Sequence, residues 1–401
     1  MIMNQDNNNN KLVSDTAEYP AKSDAEGQHT GGQHTEGQHT EGQPGHQRRK
    51  RYSGKYPRKF EEKYKEHDPD KYKDTIEKVI SKGSTPAGMH IPIMVDEILG
   101  VLQIKPGDKG LDCTLGYGGH SSRMAALLSC QAEPAGHLYG LDADPIEIEK
   151  TKARMKDKGF DDRVFTAIHT NFRNIDQVAA EYGPFDFILA DLGVSSMQID
   201  NPDRGFSYKT EGPLDLRFDP EKGQSAAERL RTLSRDEIAY MLMENADEPY
   251  ADKIASAITT AFKKGRRIET TTALRELIEE VISRIPDKQI REKNRDEAKK
   301  KACARTFQAL RIDVNAEMEV LYEFLEKLPY ALAPGGRAAI LTFHSGEDRL
   351  VKKSFRTYYD EGLYKIISKD VTRPSQEECF RNPRARSTKL RWAVKAESMK
   401  Q

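Results

Sequence analysis

Cysteine is scarce in this chain: 4 among 401 residues, at Cys113, Cys130, Cys303 and Cys379. No two stand at the close spacing of a zinc site or a redox dithiol, so buried, reduced thiols are expected, as in a reducing compartment. Net charge is absent too, because 64 Lys+Arg balance 64 Asp+Glu. That excludes a wholly basic nucleic-acid coat but leaves local patches open. No apolar run approaches the ~20 residues of a membrane span. The first ten residues, MIMNQDNNNN, also lack the apolar core of a secretory signal. These absences predict a soluble, cytoplasmic protein with no membrane partner. H-E-x-x-H is missing, as is the H-x-E and P-C-x-x-C pair of a zinc deaminase. Ser345, within FHSGE, lacks the G-x-S-x-G of a hydrolase elbow. Neither a metal nor acyl-transfer chemistry is therefore expected.

What is present divides the chain. Residues 1–47 are polar, with a five-residue near-repeat (GQHTG, GQHTE, GQHTE) from Gly27 to Glu41. Such a segment is too poor in apolar surface to order itself, so its histidines read as a solvated tail. From Arg48 to Lys82 the chain turns basic and aromatic, suited either to RNA contact or to a soluble linker. Residues 1–85 thus read as an extension. HIPIMVDEILGVL then predicts an amphipathic helix entered through Pro92, with Ile93, Ile98, Val101 and Leu102 buried. KGLDCTL, GHLYGLDAD, VFTAIHTNF and DFILADLGVSS read as four strands, with helices at about Ser121–Leu128 and at PIEIEKTKARMKDKG, which Gly159 stops. This alternation is that of a parallel, doubly wound α/β sheet.

The alternation lapses over residues 215–301. SAAERLRTL, SRDEIAYMLMENA, ADKIASAITTAFKKG and TTTALRELIEEVISRI read as helices, SRDE offering a capping box. This is an all-helical insertion between two parts of one α/β domain, residues 86–214 and 302–401. The α/β part resumes with ARTFQALRIDVNAEMEVLYEFLEKL as one long helix, then PGGRAAILTFHS as a strand entered by a Pro-Gly-Gly turn.

The loop LDCTLGYGGHSSR carries the chemistry. Gly116, Gly118 and Gly119 permit tight turning and close approach to a ligand. A dinucleotide fingerprint would place its third glycine at Ser121, which weakens that reading. Asp142 ends the second strand, where an acid binds ribose hydroxyls. Asp112 and Asp191 end the first and fourth strands, so three carboxylates are expected at one crevice. A pyrophosphate suits them poorly. S-adenosylmethionine has no phosphate, and its ammonium, sulfonium and ribose diol suit carboxylates. Its own carboxylate suits the amides of a helix start. After Asp191, DLGVSSMQIDNPDRGFSY reads as a substrate-facing loop in which Ser195 and Ser196 either take part or cap a turn. Arg204, Phe206 and Tyr208 offer charge and stacking to a base, or else the two aromatics alternate as one buried strand face. His120 and His344 read as hydrogen-bonded scaffolding. Arg384, Arg386, Lys389 and Arg391 form either a phosphate-contacting surface or the charged face of an edge strand.

Several segments occur together and in order: HIPIMVDEIL, DCTLGYGGHS, LDADP, NFRNI, DLGVSSMQID, RGFSY, GPLDLRFDP, ARTFQALRI, VNAEMEVL, LAPGGRAAILTFHSGEDRLVK and NPRARSTKLR. From about residue 89 to 395 the chain thereby resembles the bacterial 16S ribosomal RNA (cytosine-N4)-methyltransferase family RsmH (MraW). The resemblance implies a Rossmann-like class I S-adenosylmethionine-dependent fold. It implies methylation of the exocyclic N4 of a cytosine in the decoding region of 16S ribosomal RNA, within the small subunit. Donor contacts would fall on Gly118, Gly119, His120, Asp142, Phe172, Asp191 and Gln198, with His120 holding the donor through its backbone. The helical insertion would help hold RNA, and Arg384 and Arg386 would contact phosphate. Leu216, Phe218 and Gly346 stand where the family commonly has two methionines and a leucine, which reads as repacking. Asp191, or a nearby backbone carbonyl, is the expected acceptor of an N4 hydrogen. Two other readings stay open: an NAD(P)-dependent oxidoreductase, and an assembly factor using the fold as an RNA clamp. The oligomeric state is left open.

Overall fold

A computed structural model describes residues 92–128 and 136–397. The polar repeat, the basic segment, Cys130 and the start of HIPIMVDEIL lie outside them. Seven strands form one sheet: β1 (Lys109–Asp112), β2 (His137–Asp142), β3 (Phe165–His169), β4 (Phe185–Asp191), β5 (Leu332–Thr342), β6 (Tyr364–Ile367) and β7 (Lys389–Lys395). Their order is β3-β2-β1-β4-β5-β7-β6. The first five are parallel, and β7 runs antiparallel between β5 and β6. The winding reverses between β1 and β4, so the ligand crevice of such a sheet opens at the carboxyl ends of these strands.

The helices are α1 (Val95–Leu102), α2 (Gly119–Leu128), α3 (Pro145–Asp157), α4 (Ile175–Tyr182) and α5 (Ser196–Asp200). They continue as α6 (Ala226–Thr232), α7 (Arg235–Ala246), α8 (Ala251–Lys263), α9 (Thr271–Ser283) and α10 (Arg295–Val314). Then come α11 (Glu317–Ala331), α12 (Ser345–Asp360) and α13 (Gln376–Arg381). One core lies on each face of the sheet. Met94, Ile98, Leu102, Met124 and Ile148 pack on one side, and Val178, Leu321, Phe324 and Phe355 on the other. A third core joins α6 to α10, from Phe206 and Leu214 through Ile238, Ile254 and Ile278 to Phe307 and Leu310. This helical core therefore reaches past both ends of the 215–301 segment. It does so because one face of α10 (Ala298, Ala302, Phe307, Leu310) closes it.

Three expectations need correction. The single long helix is two, α10 and α11, broken at Asn315–Ala316, where Ala316 takes a left-handed φ of 48°. Asn315 is tied sideways: its Nδ2 donates to the Leu216 carbonyl (2.8 Å) and its Oδ1 accepts the Phe218 amide (2.8 Å). A helix stop of this kind rests on a partner 97 residues away, which local pattern does not reveal. The strand containing Lys389 and Arg391 is internal, not an edge; β3 and β6 are the edges. Phe206 and Tyr208 lie in a loop rather than a strand.

Candidate active site

The glycine loop is held from below before it offers anything to a ligand. Asp112, at the end of β1, is sealed, 1% exposed, and accepts the Ser121 hydroxyl and the Thr114 amide. Only Asp142 and Asp191 reach the crevice, so the expected three carboxylates are two, with Asp112 as the anchor of the loop. Ser121, where a dinucleotide fold would place glycine, is that anchor's donor. Gly116 donates its amide to Asp142 Oδ2 at 2.8 Å, and the Thr151 hydroxyl donates to the Gly116 carbonyl. Gly118 takes φ +78°, and a Cβ there would meet the Thr151 methyl at 2.8 Å. A side chain there would have to push the Thr151 methyl aside and adopt a left-handed backbone. α2 then starts at Gly119, and the amides of its first turn have no partner inside the helix.

Asp142 accepts amides from Gly116 and Asp144 (each 2.8 Å). Burial, aided by the charges of Asp144 and Glu147, still pushes its carboxyl up to about 7. Asp191 is less satisfied. Among the described residues its Oδ1 is buried without a hydrogen-bond partner, and its Oδ2 lies 3.5 Å from His120 Nδ1. Burial pushes it up to about 6, with Asp112 and Glu347 adding and His120 opposing. Its own amide donates to Thr114 Oγ1 (2.7 Å), fixing the end of β4 against the loop after β1. His120, expected to act through its backbone, also has a buried and engaged side chain: its Nε2 lies 2.9 Å from the Ile93 carbonyl. His344 and Glu347 sit at the end of β5, 3.0 Å apart, where Glu347 also caps α12 through the Phe343 amide (2.8 Å).

The hub that sequence reading missed is Asp144. Wholly buried, it caps α3 by accepting the Ile146 and Glu147 amides, and it receives Gln198 Nε2 (2.9 Å) and Arg204 Nη1 (2.6 Å). The available signal was Asp-Pro before a helix, a cap with proline at the first turn. Gln198 is therefore engaged on both sides, since its Oε1 completes the capping box with Ser195. Ser195 is thus the cap of α5. Arg204 is corrected from a base contact to a buried tie, donating also to the Arg217 and Phe218 carbonyls. Phe206 is buried and stacks on Phe218, while Tyr208 packs edge-on against Phe307, so both aromatics serve the helical core.

Phe172 packs edge-on against Phe324 at the end of β3. Beside it lies a cleft of about 220 Å³ lined by Ala143, His169, Thr170, Asn171, Phe218 and Asn315. It adjoins Asp142 and is roofed by the loop before α6. A larger groove of about 620 Å³ lies at the opposite end of β4 and β5, by Pro184, Tyr330 and Pro334, away from the glycine loop. Of the C-terminal cations, Lys389 and Arg391 are tied to Asp348. Arg384 and Arg386 lie exposed on the turn Pro383–Ser387, with Arg384 3.5 Å from Asp200. No cluster of metal-ligating side chains occurs among the described residues, and no helix there is long and apolar enough to cross a membrane.

Known proteins bear on this site. The chain is 64% identical over 353 residues to "Ribosomal RNA small subunit methyltransferase H 1" of Lachnoclostridium phytofermentans, covering 88% of this chain and 94% of the relative. It is 62% identical to the protein of the same name from Agathobacter rectalis, over 88% of this chain and 98% of that one. Among solved structures, an rRNA methylase from Streptococcus thermophilus overlays with a TM-score of 0.33 at 13% identity, over 75% of this chain and 93% of that one. The family model described as the MraW methylase family matches residues 87–396. With a glycine loop and two carboxylates at the switch point of this sheet, and that match across the described fold, the chain belongs to the MraW methylase family and is a methyltransferase.

Proposed function

We propose that this protein methylates the exocyclic N4 of a cytosine in the decoding region of 16S ribosomal RNA, in the small subunit, using S-adenosylmethionine. The observation that carries the donor assignment is the pair Asp142 and Asp191: two raised carboxylates at the crevice, neither paired with Lys or Arg among the described residues. A cation is what such a crevice favours. Asp142 stands where a ribose diol would be held, with Phe172 and the neighbouring cleft beside it for the adenine. Gly118, Gly119 and the start of α2 suit the donor carboxylate. Gln198 supports the site by orienting Asp144. The NAD(P) alternative is disfavoured, because a pyrophosphate would face these same acids.

The donor supplies an activated methyl, so the protein must chiefly align the cytosine amino group with it. Asp191 sits where it can accept an N4 hydrogen as that nitrogen becomes tetrahedral. The cytosine must be unstacked to reach the strand ends. The exposed Arg384 and Arg386 are read as phosphate contacts, and the helical segment 215–301 as the part that steadies the RNA. Such a substrate is cytoplasmic. Calorimetry with S-adenosylhomocysteine and NAD, followed by labelled-methyl transfer to subunits from a strain lacking this protein, tests the reading. Binding of S-adenosylhomocysteine and one methyl per subunit are expected. Binding of NAD alone would reject it, and donor binding without transfer would favour an RNA clamp.

A further inference from the structure

We propose that His120 is the proton partner of Asp191: the two side chains share one proton site, and the proton released from N4 comes to rest on this pair. The inference rests on the assignment of Asp191 as acceptor. Its basis is the surroundings of the imidazole. Each ring nitrogen faces an oxygen, Nε2 the Ile93 carbonyl at 2.9 Å and Nδ1 Asp191 Oδ2 at 3.5 Å. A carbonyl can only accept, so Nε2 carries a hydrogen. In the neutral ring Nδ1 is then a lone pair directed at a carboxylate. Two acceptors face each other, and one proton between them turns the repulsion into a hydrogen bond. The separation is one that a small rotation of Asp191 closes.

The groups around the pair favour this use. Asp112 on β1 and Glu347 on α12 place negative charge near Asp191, while His120 on α2 offsets it. Glu347 is itself engaged by His344 and by the Phe343 amide. Asp112 is held by Ser121 and Thr114. Among the described residues no Lys or Arg pairs with Asp191, and a proton arriving there has the imidazole nitrogen of His120 at 3.5 Å. The balance is simple. The N4 lone pair forms the N–CH3 bond, and the S–CH3 pair stays on sulfur. The N4–H pair returns to nitrogen, and the proton moves to Asp191 and is shared with His120 Nδ1. The reactive form is neutral His120 with Asp191 ionised, so turnover should rise with pH through the apparent pKa of the pair and then level.

The test uses the full chain with unmethylated small subunits. His120→Gln places an amide where Nε2 stood, keeping a donor for Ile93 while removing Nδ1. His120→Asn places a non-basic group near Nδ1. Both variants are expected to bind S-adenosylhomocysteine within about threefold of wild type and to lose at least about tenfold in single-turnover rate. In both, the midpoint of the rising pH limb should move down, because Asp191 alone binds the proton less tightly than the pair. Nitrogen-15 NMR of the histidines gives a readout independent of activity: Asp191→Asn should shift the Nδ1 resonance of His120. A histidine that only props the loop would be rescued by glutamine, with rate and profile restored, and its Nδ1 resonance would ignore Asp191→Asn; that result overturns the proposal. If Asp191→Asn itself leaves the rate intact, the acceptor assignment fails. If it abolishes the rate while His120→Gln does not, only the present inference fails.

Discussion

The strand ends and the helical segment treat buried acids in opposite ways. Around the helical core, Glu248 and Glu292 share Arg305, Asp313 meets Arg229, and Asp215 meets Arg217. Pairing holds Asp215 and Glu292 below the usual carboxylate range despite burial. At the crevice, Asp142 and Asp191 have amides or a histidine for neighbours, and burial drives them upward. In the first group, Arg305 with Glu248 and Arg229 with Asp313 join elements 57 and 84 residues apart. Among the described residues the second keeps charge without a Lys or Arg counter-charge at the proposed donor site, which disfavours the folded state locally and would favour a complex with a cation.

The largest effect should come from removing the acceptor. Asp191→Asn is expected to lower the single-turnover rate about 10²–10⁴-fold, while calorimetry with S-adenosylhomocysteine changes far less. Next, Asp144→Ala strips the partner from buried Arg204 and should cost about 3–5 kcal/mol in denaturant unfolding. A loss under 1 kcal/mol would mean that Arg204 finds water or another acceptor. The third effect is a pH dependence. Asp142 and Asp191, with folded values of about 7 and about 6 against ordinary values near 3.8, bind more protons folded than unfolded in between. Stability from these groups therefore falls as pH rises from about 4 to 7. Asp215 and Glu292, held low by their arginines, contribute in the opposite sense, and their stabilisation is lost only as pH falls through their lowered values. Scanning calorimetry of the ligand-free protein should show Tm declining from pH 5 to 7, and Asp142→Asn should flatten the decline. A Tm that rises over this range would contradict the assignment. The smallest effect lies far from the crevice, where Ser234→Ala removes the capping box of α7 and should cost about 1 kcal/mol without touching methyl transfer.

How far sequence reading reached follows the same division. Asp142 and the turn at Gly118 were legible because a strand end and a glycine loop are local patterns. The Ser234 capping box was legible for the same reason. Asp144 with Arg204 was not, since the partners stand 60 residues apart and the arginine's charge resembled a substrate contact. Phe206 was equally ambiguous: an aromatic beside an arginine stacks on a base or fills a core, and only the position of Phe218 decides. The break at Asn315 and the internal place of β7 depend likewise on distant partners. The side-chain role of His120 was hidden because Ile93 and Asp191 meet it only in the folded chain.

The most direct test is the position of the methyl group. Small subunits from a strain lacking this protein would be treated with the purified chain and isotopically labelled S-adenosylmethionine, and the RNA digested and mapped by mass spectrometry. One labelled methyl on the N4 of a single cytosine in the decoding region is predicted. A methyl on carbon or ribose, at another base, or no methyl despite donor binding, would contradict the account.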